Sequence, residues 1–565
     1  MVSPVEKPSL FCGMTKMTQP LNLGESGELG DAWIANVMEW LRSGMGMERD
    51  RDRADQVTPL QPPEEVHWSI ALAKPLLEFL SEGTLVGSNM EEGSESVESE
   101  VRIRLGILLK HYPLWLLRVL HDAAAEDLEH IDYVVADQVV ALYRKVHSMQ
   151  LPSIEGPLLQ CLAWNRREKA VELLVEILVH LPPHDWSATA IAISPLMRFR
   201  DWQIDWVFPR LLEALQHPTT IAPVLDLANY SDRFQIAARH PALPQKELLR
   251  SLLGGVVSRL GVLEENPSSF GDSVERVQHI LGESVSLCVS LCDALALMND
   301  TESIGKLNQV LELSHRRVKT EAAAALARLN DQSGRRTLLE LAAEPSVRLR
   351  VLAYADEMGC EEETDEQWRT PLARAESELA IWLNQPQQMG LPPTSMELID
   401  QRTLYWPGYN EPQECFLFRY AYSFTQSELS NVGLAGPMVH SFAPDLADLP
   451  VDDIYAAFAG WCAEHEDIYD VDAPYFNPAQ LKEAQRLAAY LEQEGHEILQ
   501  ILFLGFFVGE RAVVAKTLLN DTEGIAVTDG LEVVWFPTQG RIRPLGPTEV
   551  HSIYKGRKIL RTFNG

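Results

Sequence analysis

The chain is short of paired cysteines, of positive charge and of long apolar runs, and each shortage excludes something. Its seven cysteines (Cys12, Cys161, Cys288, Cys292, Cys360, Cys415 and Cys462) are an odd number scattered over 565 residues. No CxxC pair occurs, so a disulfide framework is not expected and free thiols in a reducing compartment are the simplest reading. Lys and Arg number 48 against 81 Asp and Glu, a net charge of −33. That average field repels phosphate backbones and anionic bilayers, so a protein partner with a basic surface is favoured over nucleic acid. The opening residues, MVSPVEKPSLFCGMTKMTQP, lack a basic segment followed by an apolar core, and no signal peptide is expected. The longest strongly apolar stretch, residues 498–508, is too short to cross a bilayer. The expectation is a cytoplasmic protein without membrane contact.

Catalytic motifs are missing too. GxxxxGK[ST], GxSxG and a GxGxxG following a strand do not occur, and GESGELG (24–30) matches none of them. Spatial triads leave no linear trace, so an enzyme stays open as the second reading. A non-catalytic protein without a cofactor comes first.

What is present is ordinary globular chemistry, with 46% hydrophobic and 23% charged residues, in a chain too long for one core. Residues 1–30 are rich in Gly, Ser, Pro and Thr and read as a disordered tail. Residues 31–83 read as N-terminal helices, with Asp31 placed to cap the first. The acidic, Ser-rich run at 84–100 has no apolar face and reads as a disordered loop. From 101 to 384, apolar helical segments alternate with breaks such as HLPPHDW, ARHPALP, NDTES and NDQSG. Pro, Gly, Asn and Asp fall where helix ends need fixed φ or capping oxygens. Helices joined this closely pack antiparallel, as a bundle or a solenoid.

A repeat favours the solenoid. ALALMNDTES (294–303) returns as ALARLNDQSG (325–334), 31 residues on. HRRVKTEAAAALARLN (315–330) is echoed by PSVRLRVLAYADEMG (345–359), with Val318 matching Val347 and Lys319 matching Arg348, 29 residues on. Val318, Ala322, Ala325, Leu326 and Leu329 share one helical face, as do Val347, Val351, Leu352, Ala355 and Met358. On these residues the segment 294–359 resembles the short HEAT-like repeats also found in phycobilisome lyase-type proteins. In those repeats a turn precedes an aliphatic and then a basic residue, followed by an Ala-rich second helix. The whole chain is similar to planctomycete-type bacterial HEAT-repeat proteins. The resemblance implies a mainly α fold: a HEAT-like α-α superhelix (solenoid) followed by a smaller C-terminal α+β domain. Most such arrays are scaffolds, and the lyases are an enzymatic branch among them.

Residues 385–396 read as a linker and 397–565 as an α+β domain with a mixed or antiparallel sheet. ECFLFRYAYSF (414–424) alternates so that Phe416, Phe418, Tyr420, Tyr422 and Phe424 share one face, which two later helices are expected to cover. Those helices are DDIYAAFAGWCAEHEDI and PAQLKEAQRLAAYLEQEG, the second capped by Asn477.

Several side-chain groups stand as candidate sites. Cys288 and Cys292, one helical turn apart, lack further ligands at metal spacing. EHEDIYDVD (464–472) offers oxygens to a hard cation but lacks the periodicity and glycine of a calcium loop, so a solvated acidic loop is preferred. No metal is expected; the residues to consider for one are His440, Glu464, His465 and Asp467. Arg316, Arg317, Lys319, Arg348 and Arg350 mark a basic repeat face. They are candidates for partner binding or for pairing with turn carboxylates such as Asp300 and Asp331. Arg541, Arg543, Lys555, Arg557, Lys558 and Arg561 crowd the C-terminus, poised to dock on the protein's own acids or to bind an anion. The leading expectation is a scaffold or adaptor that binds a protein through the array. The alternative is an enzyme, lyase-like or ligand-binding, with a pocket beside the C-terminal domain.

Overall fold

The computed structural model describes residues 133–564, apart from 149, 151, 166–167, 199–204, 425–427, 464–466 and 541–542. The expected tail, N-terminal helices, acidic loop and first part of the array (residues 1–132) lie outside the described residues, as do Glu464, His465 and Arg541. The fold is mostly helical, and two antiparallel sheets occupy the C-terminal region. The chain forms two compact units, dividing between Gln309 and Val310.

In the first unit the helices are α1 (Tyr133–Ser148), α2 (Pro152–Asn165), α3 (Glu168–His180), α4 (Trp186–Ile193), α5 (Pro218–Arg233), α6 (Lys246–Glu265) and α7 (Val274–Leu297). Short 3-10 turns and one four-residue helix lie between them. α3 shows why they hold: Ala170, Val171, Leu174, Val175 and Leu178 recur at helical spacing and are buried, whereas Glu172 and Glu176 are not. By length and composition α7 could cross a membrane, with a mean hydropathy of 1.7 in its most apolar stretch. Half of that stretch is buried, and α7 packs against α5 and α6 as the core helix of a globular unit does. α8 (Ile304–Leu311) follows.

The second unit continues with α9 (Arg316–Arg328), α10 (Gln332–Glu340), α11 (Pro345–Glu357) and α12 (Pro371–Leu383). The sequence repeat has a backbone counterpart. Asn330 sits at φ 63° and Gly359 at φ 66°, and each ends a helix. The amide of Asp331 returns to Leu326 O at 2.9 Å, and that of Cys360 to Ala355 O at 2.8 Å. The same closure occurs at the end of α7, where Asn299 has φ 53° and the Asp300 amide reaches Leu295 O at 3.0 Å. Asn and Gly tolerate the left-handed conformation that this helix ending needs, which is why they recur at these steps. Asp331 then opens α10 by accepting the amides of Ser333 and Gly334. The apolar faces named from sequence are buried in α9 and α11, except that Met358 is only half-buried.

Sheet 1 has the order β1 (Ser395–Tyr405), β2 (Pro412–Ser423), β3 (Glu428–Ala435), β4 (His440–Ser441). Then come α13 (Val451–Cys462), β5 (Tyr469–Asp472) and α14 (Pro478–Gln493), the last opened by a reciprocal Asn477–Gln480 cap. Sheet 2 runs β5, β6 (Glu497–Phe507), β7 (Glu510–Leu519), β8 (Thr522–Thr528), β9 (Val533–Pro537), and α15 (Pro547–Asn564) closes the chain. The expected single sheet is therefore two. The aromatic face of β2 is a core, but its cover differs from the expectation: Phe416, Phe418, Tyr420 and Tyr422 pack on Ala375, Leu379 and Leu383 of α12. Phe424, beyond the end of β2, stays exposed.

The order helix, four antiparallel strands, helix occurs twice, as α12–β1–β2–β3–β4–α13 and α14–β6–β7–β8–β9–α15. The packing repeats with it. Cys415 and Leu417 of β2, and Ala512 and Val514 of β7, point into one central core with α13 and α15. Val513 and Ala515 face outward onto α14, as Phe416 and Phe418 face α12. At the centre α13 and α15 cross backbone to backbone. A Cβ on Gly460 would lie 1.8 Å from Ser552 O, and one on Gly556 would lie 1.8 Å from Ala456 O. The contact is reciprocal because Ala456 and Gly460 match Ser552 and Gly556, four residues apart on each helix.

Candidate functional site

The basic residues of the repeat face are mostly committed to the fold. Arg316 meets Glu344 at 3.0 Å, Arg328 meets Glu357 at 2.6 Å, and Arg348 meets Glu376 at 2.6 Å. Arg335 pairs with Glu363, and Arg350 with Glu321. Each pair links positions 28 or 29 residues apart, the interval of the sequence repeat. The expected turn carboxylates serve elsewhere. Asp331 caps α10, and Asp300 holds Arg250 with oxygen–nitrogen distances of 2.5 and 2.6 Å.

Arg348, expected on a partner-binding face, is 1% exposed. Its guanidinium donates to Ala342 O, Ala343 O, Ala373 O and Glu376 and lies over the Trp368 ring at 4.7 Å. Its contacts are therefore internal. Arg317 is exposed and Lys319 half-buried.

The C-terminal cations also dock inward. Arg557 donates to Asp453 at 2.7 Å, Lys558 binds Glu510 and Asp529, and Arg561 reaches Glu532 at 3.4 Å. These attachments tie α15 to α13 and to sheet 2.

His440 lies in an aromatic nest, stacked on Trp461 at 4.1 Å with Trp382, Phe442 and Phe458 around it. Burial pushes its imidazolium down to about 4, so the ring is neutral at pH 7. Asp467 is exposed, and neither residue belongs to a metal-competent group among the described residues. Cys288 and Cys292 are fully buried on α7 and are likewise outside any such group among the described residues.

One metal-competent group is brought together that the sequence reading missed: His147, Glu155 and His184. His147 ends α1, Glu155 stands in the first turn of α2, and His184 lies just before Asp185, which caps α4. The spacing matches no linear motif, and only folding reveals it.

The surface richest in anchoring groups is the segment between the two halves of the C-terminal region. Trp461, Tyr469 and Tyr475 are 47%, 50% and 78% exposed, with exposed Asp467, Asp470 and Asp472 between them. Three features hold these rings out. Trp461 rests on His440, Tyr469 stacks on Phe506 at 4.5 Å, and β5 pairs with β6 along one edge while its other edge ends the sheet. The acidic run read as a solvated loop is thus partly a strand.

No family model matches the chain, and no curated protein and no solved structure matches it.

Proposed function

We propose that the chain is a cytoplasmic, non-catalytic scaffold or adaptor for a protein partner. In this reading its helix–turn–helix units stack as a HEAT-like superhelix. Segment 461–475 supplies the main contact. The observation that carries it is the exposure of Trp461, Tyr469 and Tyr475 among carboxylates, in a chain of net charge −33. Trp and Tyr are effective anchors because they bury large areas at low entropic cost, and the interspersed Asp residues select a basic surface. The array's own aromatics are less suited to that work. Tyr354 lies beneath Arg328 and Arg350, and Trp368 beneath Arg348. The ion pairs at repeat spacing support a stiff frame that holds the contact segment in place.

The test is crosslinked purification from the native host with the wild-type chain and with Trp461→Ala/Tyr475→Ala, followed by titration of the captured protein in purified form. A partner that binds wild type and loses at least about tenfold in affinity for the double variant supports the proposal, since such anchors contribute about 2 kcal/mol each. Equal capture and equal affinity for the two chains would overturn it.

A further inference from the structure

We propose that His147, Glu155 and His184 form a binding site for one divalent transition-metal ion, for which zinc is the best match. The carboxylate of Glu155 is fully buried, and no Lys or Arg reaches it among the described residues. A lone buried carboxylate is costly unless a cation and hydrogen bonds compensate it. Its Oε2 accepts the backbone N–H of His184 at 2.8 Å. Its Oε1 lies 2.9 Å from Nδ1 of His147 and 2.6 Å from Nδ1 of His184. The two imidazoles stack at 4.0 Å, so charging both to neutralise one carboxylate would set two like charges face to face. One doubly charged ion at the point of convergence uses both nitrogen lone pairs and the oxygen together.

The donor set fits that chemistry. Two imidazole nitrogens and one carboxylate oxygen suit zinc, and no thiolate is present to select a softer ion. The three ligand atoms lie within 4.8 Å of one another. Around tetrahedral zinc they would stand about 3.3 Å apart, so the present contacts must open by roughly half an ångström. His184 can supply this movement, being exposed and in the loop ahead of α4. Its exposure, with the half-buried edge of His147, also gives the ion a way in. The fourth position falls to water or to the Tyr143 hydroxyl, 3.4 Å from Nδ1 of His147. Gly156 allows the arrangement: a Cβ there would lie 2.6 Å from Ala188 O, so only glycine lets α2 close on α4 with Glu155 beneath the His184 loop. A bound ion would staple the α1–α2 turn to the α3–α4 turn.

The experiment uses the full-length chain, stripped with chelator and titrated with Zn²⁺ while heat and melting temperature are followed. The expected result is about one equivalent bound, with a rise in Tm, and a loss of at least about 100-fold in affinity in His184→Asn and in His147→Asn. His184→Asn changes an exposed side chain, so circular dichroism matching wild type keeps the comparison valid. Cobalt substitution is expected to give a spectrum without a thiolate charge-transfer band. Three results would each overturn the site: no binding tighter than about 0.1 mM, zinc affinity unchanged in both histidine variants, or a cobalt–thiolate band.

Discussion

A side chain such as Arg348 can look like a surface cation and yet be a structural bolt. Its four hydrogen bonds and its stacking on Trp368 are all internal, whereas Arg316 forms a half-exposed pair with Glu344. Removing Arg348 strands buried carbonyls and the Glu376 carboxylate, so Arg348→Met is expected to cost about 3 kcal/mol or more, and Arg316→Met less than about 1. Urea denaturation separates the two; equal losses would refute the distinction. His440 gives a pH prediction. Its folded value of about 4 lies below the ordinary 6.5, so the unfolded chain takes up the proton first as pH falls. The stability it contributes is complete above about pH 6.5 and is lost between there and about 4, on the order of 2 kcal/mol after discounting its partial exposure. His440→Phe, measured by melting temperature against pH, is expected to flatten that part of the profile.

Among elements, the α13–α15 crossing decides most. Four small residues, Ala456, Gly460, Ser552 and Gly556, let the helices touch at the backbone, and a single methyl cannot be absorbed by rotating a side chain. Gly556→Ala is expected to destabilise by about 3 kcal/mol or more. Gly255, also within a helix, has nothing within 4 Å of its missing Cβ. Gly255→Ala is therefore expected to stabilise by up to about 1 kcal/mol through helix propensity. Thermal unfolding of both variants checks the pair, and a mild effect at Gly556 would mean the helices can part cheaply. The element scale is also where the sequence reads worst. α15 has basic residues and a glycine across its middle, so its apolar stripe is broken, yet Val550, Ile553 and Tyr554 lie in the central core. β5 has only four residues, three of them exposed, and exists because β6 offers it an edge.

For the whole molecule, charge is the governing quantity. The excess of 33 negative charges remains although Arg557, Lys558 and Arg561 are already neutralised on the protein's own carboxylates. Association with the proposed basic partner is therefore expected to weaken steadily as ionic strength rises. The aromatic contribution of Trp461 and Tyr475 should persist at high salt, because burial of their rings is not screened.

What the sequence determined alone is what rests on local rules. The helices of 304–383, their recurring Asn or Gly stops and the alternation of β2 follow from propensity, capping and periodicity within a few residues. What only the tertiary structure decided rests on distant partners. α12 rather than a later helix covers the aromatic face of β2, because that face needs small and aliphatic side chains at matching spacing and Ala375, Leu379 and Leu383 provide them. Glu155 meets His184 across 29 residues because the α2–α4 packing brings them together, and no pattern along the chain encodes that distance.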